Sequence, residues 1–306
     1  MSTQRLPSTP ACMTFNPRIP NAYGYHPSLA PGIIFVIVFT ISASIHLYQS
    51  LRQTIHNRRL WWLWLFFIGA SLECLGWIAR TVTNPCPYSL TLFKMQLSVL
   101  ISAPAFTQAG LYVILWAYVQ VLGRHTSPVP PKLYLITILC LDVICLSLQA
   151  IGGGLAGAAF SKRTDTQPGT TTMVVGIVTQ LFSTCVFAVL LSVVFFRGWS
   201  AIRAERLMLL AAATLLSVAC MIIRGVYRSI ELLQGWRGEL ITDEKYVVAL
   251  EGSMMFVAVA VFNAFSPGVL LAGTRVCTAV AGGGMMEESE ISEVAPIRKS
   301  PEAISG

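Results

Sequence analysis

The chain has 306 residues, 55% of them apolar and only 11% charged, with a formal net charge of +7. A mean hydropathy of +0.67 excludes an ordinary soluble domain and belongs to the membrane class. The basic residues are scattered over short segments, which suits membrane topology rather than nucleic-acid binding.

Met1 to Pro27 is polar and rich in proline, without the apolar stretch that a cleavable signal needs. The first span is therefore expected to act as its own signal anchor. An apolar helix of about 20 residues crosses a bilayer core. By that measure seven spans are predicted: Ala30–Tyr48, Trp61–Val82, Met95–Leu122, Leu133–Ala156, Met173–Phe196, Leu207–Ile230 and Val247–Leu271. The fold class is then all-α: a polytopic membrane protein with seven transmembrane helices in one bundle. Residues 30–275 form the transmembrane domain, 1–29 an extracellular N-terminal tail and 276–306 a disordered cytosolic tail. No room is left for a second folded domain.

Cationic residues favour the cytosolic side. Arg52, Arg58 and Arg59, then Arg124 and Lys132, then Arg197, Arg203 and Arg206 fall on one side, and Arg275 follows the last span there. The other side carries fewer, interleaved with Asp165, Glu239, Asp243 and Glu244. The N-terminus is read as outside and the C-terminus as cytosolic. Five cysteines lie in spans, where a thiol packs as a small apolar group, and Cys277 falls on the cytosolic side. Cys12 and Cys86 fall on the outer, oxidising side and form the candidate disulfide, although spacing alone does not fix connectivity.

Several spans carry residues that hydrocarbon does not tolerate. Span two has Glu73 and Arg80, span four Asp142 and Gln149, span six Arg224, Arg228 and Glu231, and span seven Glu251. The spacings place each set on one helix face. Spans two, four and six run the same way and carry these groups in their later halves, Asp142 nearer a midpoint. Span seven runs back and carries Glu251 early, and Lys94 opens span three at that level. The polar side chains thus converge on one half of the membrane, whichever side is outside. One reading is a staple that fixes helix register. The other is a polar site for an ionic or hydroxylated head group, since intramembrane ionisable residues mark substrate paths.

Pro104 in span three is expected to kink its helix and free a carbonyl. Trp61, Trp62 and Trp64 read as an interfacial anchor. His46, alone on an apolar span, reads as a hydrogen-bonded packing residue. No Gly-x-x-x-x-Gly-Lys loop occurs, so the chain is not expected to use ATP itself. Among four histidines only His46 lies in a span, so no converging zinc-ligand set is expected, and there is no Gly-x-Ser-x-Gly elbow. An enzyme is not expected, and neither cofactor nor metal. A rhodopsin-like receptor is disfavoured too: "LWAYVQVLGR" ends span three without an acidic-Arg-aromatic triplet, and "FNAFSPG" stands where Asn-Pro-x-x-Tyr would be.

The ordered motifs resemble a known family. "YGYHPSLAPGIIF", "LECLGWIAR", "NPCPYSLTLFKMQ" followed by "SAPAF", "LDVICLSLQAIGGG" and "IIRGVYRSIELLQGWRGELITDEKY" are similar to the fungal lipid-translocating exporters, the seven-span proteins linked to aminocholesterol resistance. Three departures are local: Ser266 stands where His is more frequent, Glu251 stands where Asp is, and the outer glycan acceptor frequent in the family is absent. The resemblance implies a multi-pass protein of the plasma membrane or an internal membrane. It implies export or flop of amphipathic lipids or lipid-like toxic or secondary metabolites. The alternative is a seven-helix lipid sensor or stress regulator that binds such ligands without moving them. On either reading the partners are the bilayer and an amphipathic small molecule, with no nucleic acid. The head group would meet Glu73, Arg80, Asp142, Gln149, Arg224, Tyr227, Arg228, Glu231 and Glu251. Carboxylates suit a cationic amino-lipid and arginines a phosphate or carboxylate, and the mixture does not decide between them.

Overall fold

The structure is a computed structural model that describes residues 12–272, except 17, 18, 20, 22, 163, 205, 206, 236 and 237. The expected C-terminal tail, with Arg275 and Cys277, lies outside the described residues. Among the described residues, seven helices are long and apolar enough to cross a membrane. They are α1 (Leu29–His56), α2 (Trp64–Thr83), α3 (Leu90–Leu122), α4 (Pro131–Lys162), α5 (Gln167–Arg197), α6 (Met208–Leu233) and α7, the helical segment Glu244–Leu271. A 3-10 turn, Arg58–Leu63, leads into α2, and a short helix, Trp199–Ala204, links α5 to α6.

The helices are longer than the apolar windows in their sequences. α1 continues past Tyr48 to His56, and α3 begins at Leu90 rather than Met95. Polar turns beyond the hydrocarbon still form helix, because the backbone bonds there are as good as inside. Ser89 caps α3, its side chain accepting from the Leu92 amide. At the other end of α3, Gly123 takes φ +93°, a conformation that a side chain would strain.

The helices turn apolar side chains outward and most of their polar ones inward, and outward hydroxyls such as those of Thr40 and Ser44 donate to carbonyls of their own helix. Along α1, Ile34, Ile37, Ile41 and Ile45 are exposed, whereas Ser42, His46, Ser50 and Gln53 are buried. That is what lipid demands, since an outward polar group would find no water there. His46 meets the Val259 carbonyl at 3.2 Å and stacks on Phe66, which fits the packing role expected of it. The tryptophan cluster divides: Trp61 is exposed, but Trp62 is buried in the core against Phe66.

Small residues set which helices touch closely. Gly69 and Gly76 of α2 face Thr107 and Leu100 of α3. Gly152 and Gly176 bring α4 and α5 into backbone contact, so the two form a tight antiparallel hairpin. α7 is irregular at its start: Val247–Gly252 is a π-turn, and Gly252, its last residue, packs on Trp77 and Phe35. Such single turns cluster at functional sites.

The described residues before α1 are tied to the bundle. Cys12 is joined to Cys86, in the α2–α3 loop, by a disulfide. Tyr23 is buried, donating to Gln96 Oε1 at 2.7 Å, and Asn84 donates to the Pro27 carbonyl at 2.8 Å. This strap lies across one end of the bundle. Burial raises the Tyr23 phenol pKa to about 12 and raises that of Tyr25 as well.

Candidate functional site in the half of the bundle beneath the strap

The polar residues expected to form one group divide into three. The first lies directly under the strap. Arg80, 1% exposed, donates from Nη2 to Tyr25 Oη at 2.6 Å and to Glu244 Oε1 at 2.7 Å. Glu244 also accepts from the Ser28 amide. The guanidinium lies 5.7–5.8 Å from the ring centroids of Tyr23, Tyr25 and Trp77. Arg80 therefore does not join the span-six charges, contrary to the sequence reading. Its carboxylate partner, Glu244, starts α7, seven residues before Glu251, which holds the α6 arginines. The strap tyrosines were legible only as "YGY" before span one, and their role was missed.

The second group is ionic and joins α6 to α7. Arg224 Nη2 donates to Glu251 Oε1 at 3.1 Å, and Arg228 Nη1 donates to Glu231 and to Glu251 Oε2, the latter at 3.3 Å. Tyr227 donates to Glu231 Oε1 at 3.2 Å. The helical periodicity of α6 puts Arg224, Tyr227, Arg228 and Glu231 on one buried face. Arg224 Nη2 also donates to the Leu100 carbonyl at 2.7 Å. That carbonyl is the one Pro104 frees, because residue i of a helix bonds the carbonyl of i−4 and proline has no N–H. α3 runs on as a single helix through Pro104. The sequence pointed to a freed carbonyl; the structure supplies its donor from another helix.

Glu73 faces this group from α2. It is 0% exposed, and neither of its carboxylate oxygens has a hydrogen-bond partner. Its electrostatic neighbours are Arg224, Glu251 and Arg228.

The third group joins α3, α4 and α5 without a cation. Tyr112 donates to Asp142 Oδ2 at 2.6 Å, and Ser183 donates to Oδ1 at 3.4 Å. Gln108 Nε2 donates to Tyr112 Oη at 2.7 Å and to Thr184 Oγ1 at 2.6 Å, and Gln149 Nε2 donates to Gln180 Oε1 at 2.8 Å. Asp142 was expected beside the arginines. It lies elsewhere because α4 packs on α5 and α3, and its partner Tyr112 stands 12 residues along α3 from Leu100, about 18 Å by helix rise. Tyr112, Gln108, Gln180, Ser183 and Thr184 were not foreseen. Uncharged residues in an apolar helix leave little signal beyond their polarity.

A narrow cleft between α3, α4, α5 and α6 joins the second group to the third. Arg224 and Arg228 line one side, and Gln108, Gln149, Gln180 and Thr184 line the other. Its internal room is about 30 Å³, the share of about one water molecule. Among the described residues no three His, Cys, Asp or Glu side chains are grouped to hold a metal ion.

Comparison with known proteins fits this architecture. Residues 66–274 match the family described as "RTA1 like protein". The chain is 28% identical to the "Sphingoid long-chain base transporter RSB1" of Saccharomyces cerevisiae, over 87% of this chain and 78% of that one. It is 25% identical to "Protein RTA1" of the same yeast, over 78% of this chain and 83% of that one. It is 24% identical to the yeast "Protoporphyrin uptake protein 1", over 79% of this chain and 90% of that one. No solved structure matches. With a match that spans most of the chain and the helices α2 to α7, the protein belongs to the RTA1-like family of fungal lipid-translocating exporters.

Proposed function

We propose that this protein moves an amphipathic lipid, or a lipid-like metabolite, across the bilayer by receiving its head group among the buried polar residues of one membrane half. The observation that carries the reading is the ionic group of Glu73, Arg224, Arg228, Glu231 and Glu251, buried in helices whose outer faces are apolar. Charges at that depth are costly, and a carboxylate without a hydrogen-bond partner is costlier still. A pure staple would leave no such group, whereas a site awaiting a ligand does. Asp142 and Gln149 extend the polar surface, and Arg80 with Glu244 holds the strap over it. The relatives named as a long-chain base transporter and as a porphyrin uptake protein support an amphipathic cargo.

The strap end is the extracellular one in this reading. The Cys12–Cys86 disulfide lies there and suits an oxidising compartment, and the arginine-rich loops lie at the other end. The membrane is the plasma membrane, and the chain works as a transporter rather than an enzyme.

The test uses purified protein in vesicles loaded with a fluorescent long-chain base or a fluorescent fatty acid, with appearance in the opposite leaflet read by a membrane-impermeant quencher. Transfer should exceed that of protein-free vesicles and fall to background in Glu73→Gln. This substitution keeps the side-chain shape and removes no hydrogen bond, so the variant should remain monodisperse. Binding of both probes without transfer would make the protein a sensor and end the transport reading.

A further inference from the structure

The three acidic residues of the ionic group do not face the cleft. Its lining contains two arginines, three glutamines and a threonine among apolar side chains, and no carboxylate. Glu251 and Glu231 hold the two guanidiniums through Nη2 of Arg224 and Nη1 of Arg228. The Leu100 carbonyl takes a further bond from Arg224. The Nε of each arginine has no hydrogen-bond partner, although both residues are at least nine-tenths buried. Both Nη2 hydrogens of Arg224 are taken and it keeps Nε and Nη1 as single donors, whereas Arg228, held through Nη1, keeps its Nε–Nη2 edge uncommitted. A planar fork held in this way fits the paired oxygens of a carboxylate or phosphate. The cleft also has donors in reserve on its other wall, since the Gln149–Gln180 bond uses Nε2 of Gln149 and leaves the Gln180 amide hydrogens uncommitted.

The cleft reaches the lipid-facing surface at one seam. Gly225 of α6 faces Leu181 of α5, where an added Cβ would meet Leu181 Cδ1 at 2.9 Å. Their neighbours Phe182 and Val226 are exposed to the bilayer. An alkyl chain could lie between these helices while its head group stays at the arginines. Room for that head group needs α4 and α5 to move away from α3 and α6. The glycine contacts hold α4 and α5 together as one hairpin, and the seam is closed by the polar bonds Gln108–Thr184 and Tyr112–Asp142 and by apolar packing such as Phe187 on Tyr112.

We propose that this cleft binds the oxyanion head group of a single-chain amphiphile, a phosphate or a carboxylate, with its chain leaving between α5 and α6. The inference rests on the transport reading for its purpose but not for its test, which measures binding alone. Full-length protein in detergent is titrated with hexadecyl phosphate, palmitate, hexadecylamine and inorganic phosphate, and the thermal midpoint and dissociation constant are followed.

At least one of the two anionic amphiphiles should bind about tenfold or more tightly than hexadecylamine. Whichever of the pair binds better identifies the head group. Gln180→Glu places a carboxylate on the cleft wall without touching the ion pairs, and it should reverse the preference in favour of the amine. Gly225→Leu should weaken hexadecyl phosphate by closing the seam while the fold is kept. Hexadecylamine binding as well as both anions overturns the inference, as does an unchanged order in Gln180→Glu. Inorganic phosphate protecting as well as hexadecyl phosphate overturns its lipid half. Transfer of an amine probe without anion binding would sink this inference and leave transport intact. Anion binding without transfer of any probe would do the reverse.

Discussion

Glu251 and Asp142 are both carboxylates buried in lipid-spanning helices, and the fold satisfies them by different means. Glu251 stands in the π-turn of α7 and bridges two arginines of α6. Asp142 stands in an unbroken α4 and has no cation among its bonded partners, which are the hydroxyls of Tyr112 and Ser183. The difference separates a charge-balanced joint from a hydrogen-bonded one. In the first, each member needs the others, because removing one strands a charge in low dielectric. In the second, loss of a donor leaves a carboxyl that keeps another partner. The ionic joint ties α6 to α7 beside α2, whereas the hydroxyl joint closes the α4–α5 hairpin against α3. The two sides of the bundle thus differ in the chemistry that holds them.

The most disruptive way to break this contrast is Arg228→Ala. It leaves Glu231 and Glu251 with one fewer guanidinium, and the expected loss is about 3–5 kcal/mol of stability. Denaturant titration of the protein in mixed micelles measures it. A loss below about 1 kcal/mol, the value of a surface pair, would mean that the joint is solvated and not a buried network. Tyr112→Phe is the matching change on the other side. It removes the O–H that Asp142 accepts, and the expected loss is about 1.5–3 kcal/mol, the usual worth of a hydrogen bond to a charged group. A larger loss from Tyr112→Phe than from Arg228→Ala would invert the comparison.

How much of this was legible in the sequence depends on which physical rule applies. The seven spans were, because hydrocarbon thickness fixes helix length and uncharged runs of that length are rare otherwise. The shared membrane half of Glu73, Arg224, Arg228, Glu231 and Glu251 was legible too, since helix rise and alternating direction suffice to compare depths. Which helices are neighbours was not. Depth arithmetic cannot tell that Arg80 reaches Glu244 and Tyr25 or that Asp142 turns toward Tyr112, because both outcomes follow from lateral packing. That packing is directed by glycines such as Gly76, Gly152 and Gly176, whose partners lie far away in the chain. The strap was hidden for another reason. A proline-rich polar segment reads as a tail, whereas a disulfide, the buried Tyr23, the half-buried Tyr25 and hydrogen bonds from Asn84 and to Glu244 make it part of the fold.

The smallest expected effect tests the link between the two regions. Pro104→Ala restores an N–H that can bond the Leu100 carbonyl within α3. Proline in a helix interior costs about 3 kcal/mol relative to alanine in isolated helices, through the missing N–H and the clash of its ring with the i−4 carbonyl. Here Arg224 already donates to that carbonyl, so most of the penalty is offset in the native protein. A carbonyl oxygen has two lone pairs, so Arg224 need not be displaced by the new amide. The expected gain is therefore only about 1 kcal/mol or less, one net hydrogen bond, in the same titration. A gain near the full helix penalty would show that Arg224 does not replace the missing bond. The ionic joint would then end at Glu251, with no hold on α3 or on the cleft that α3 lines.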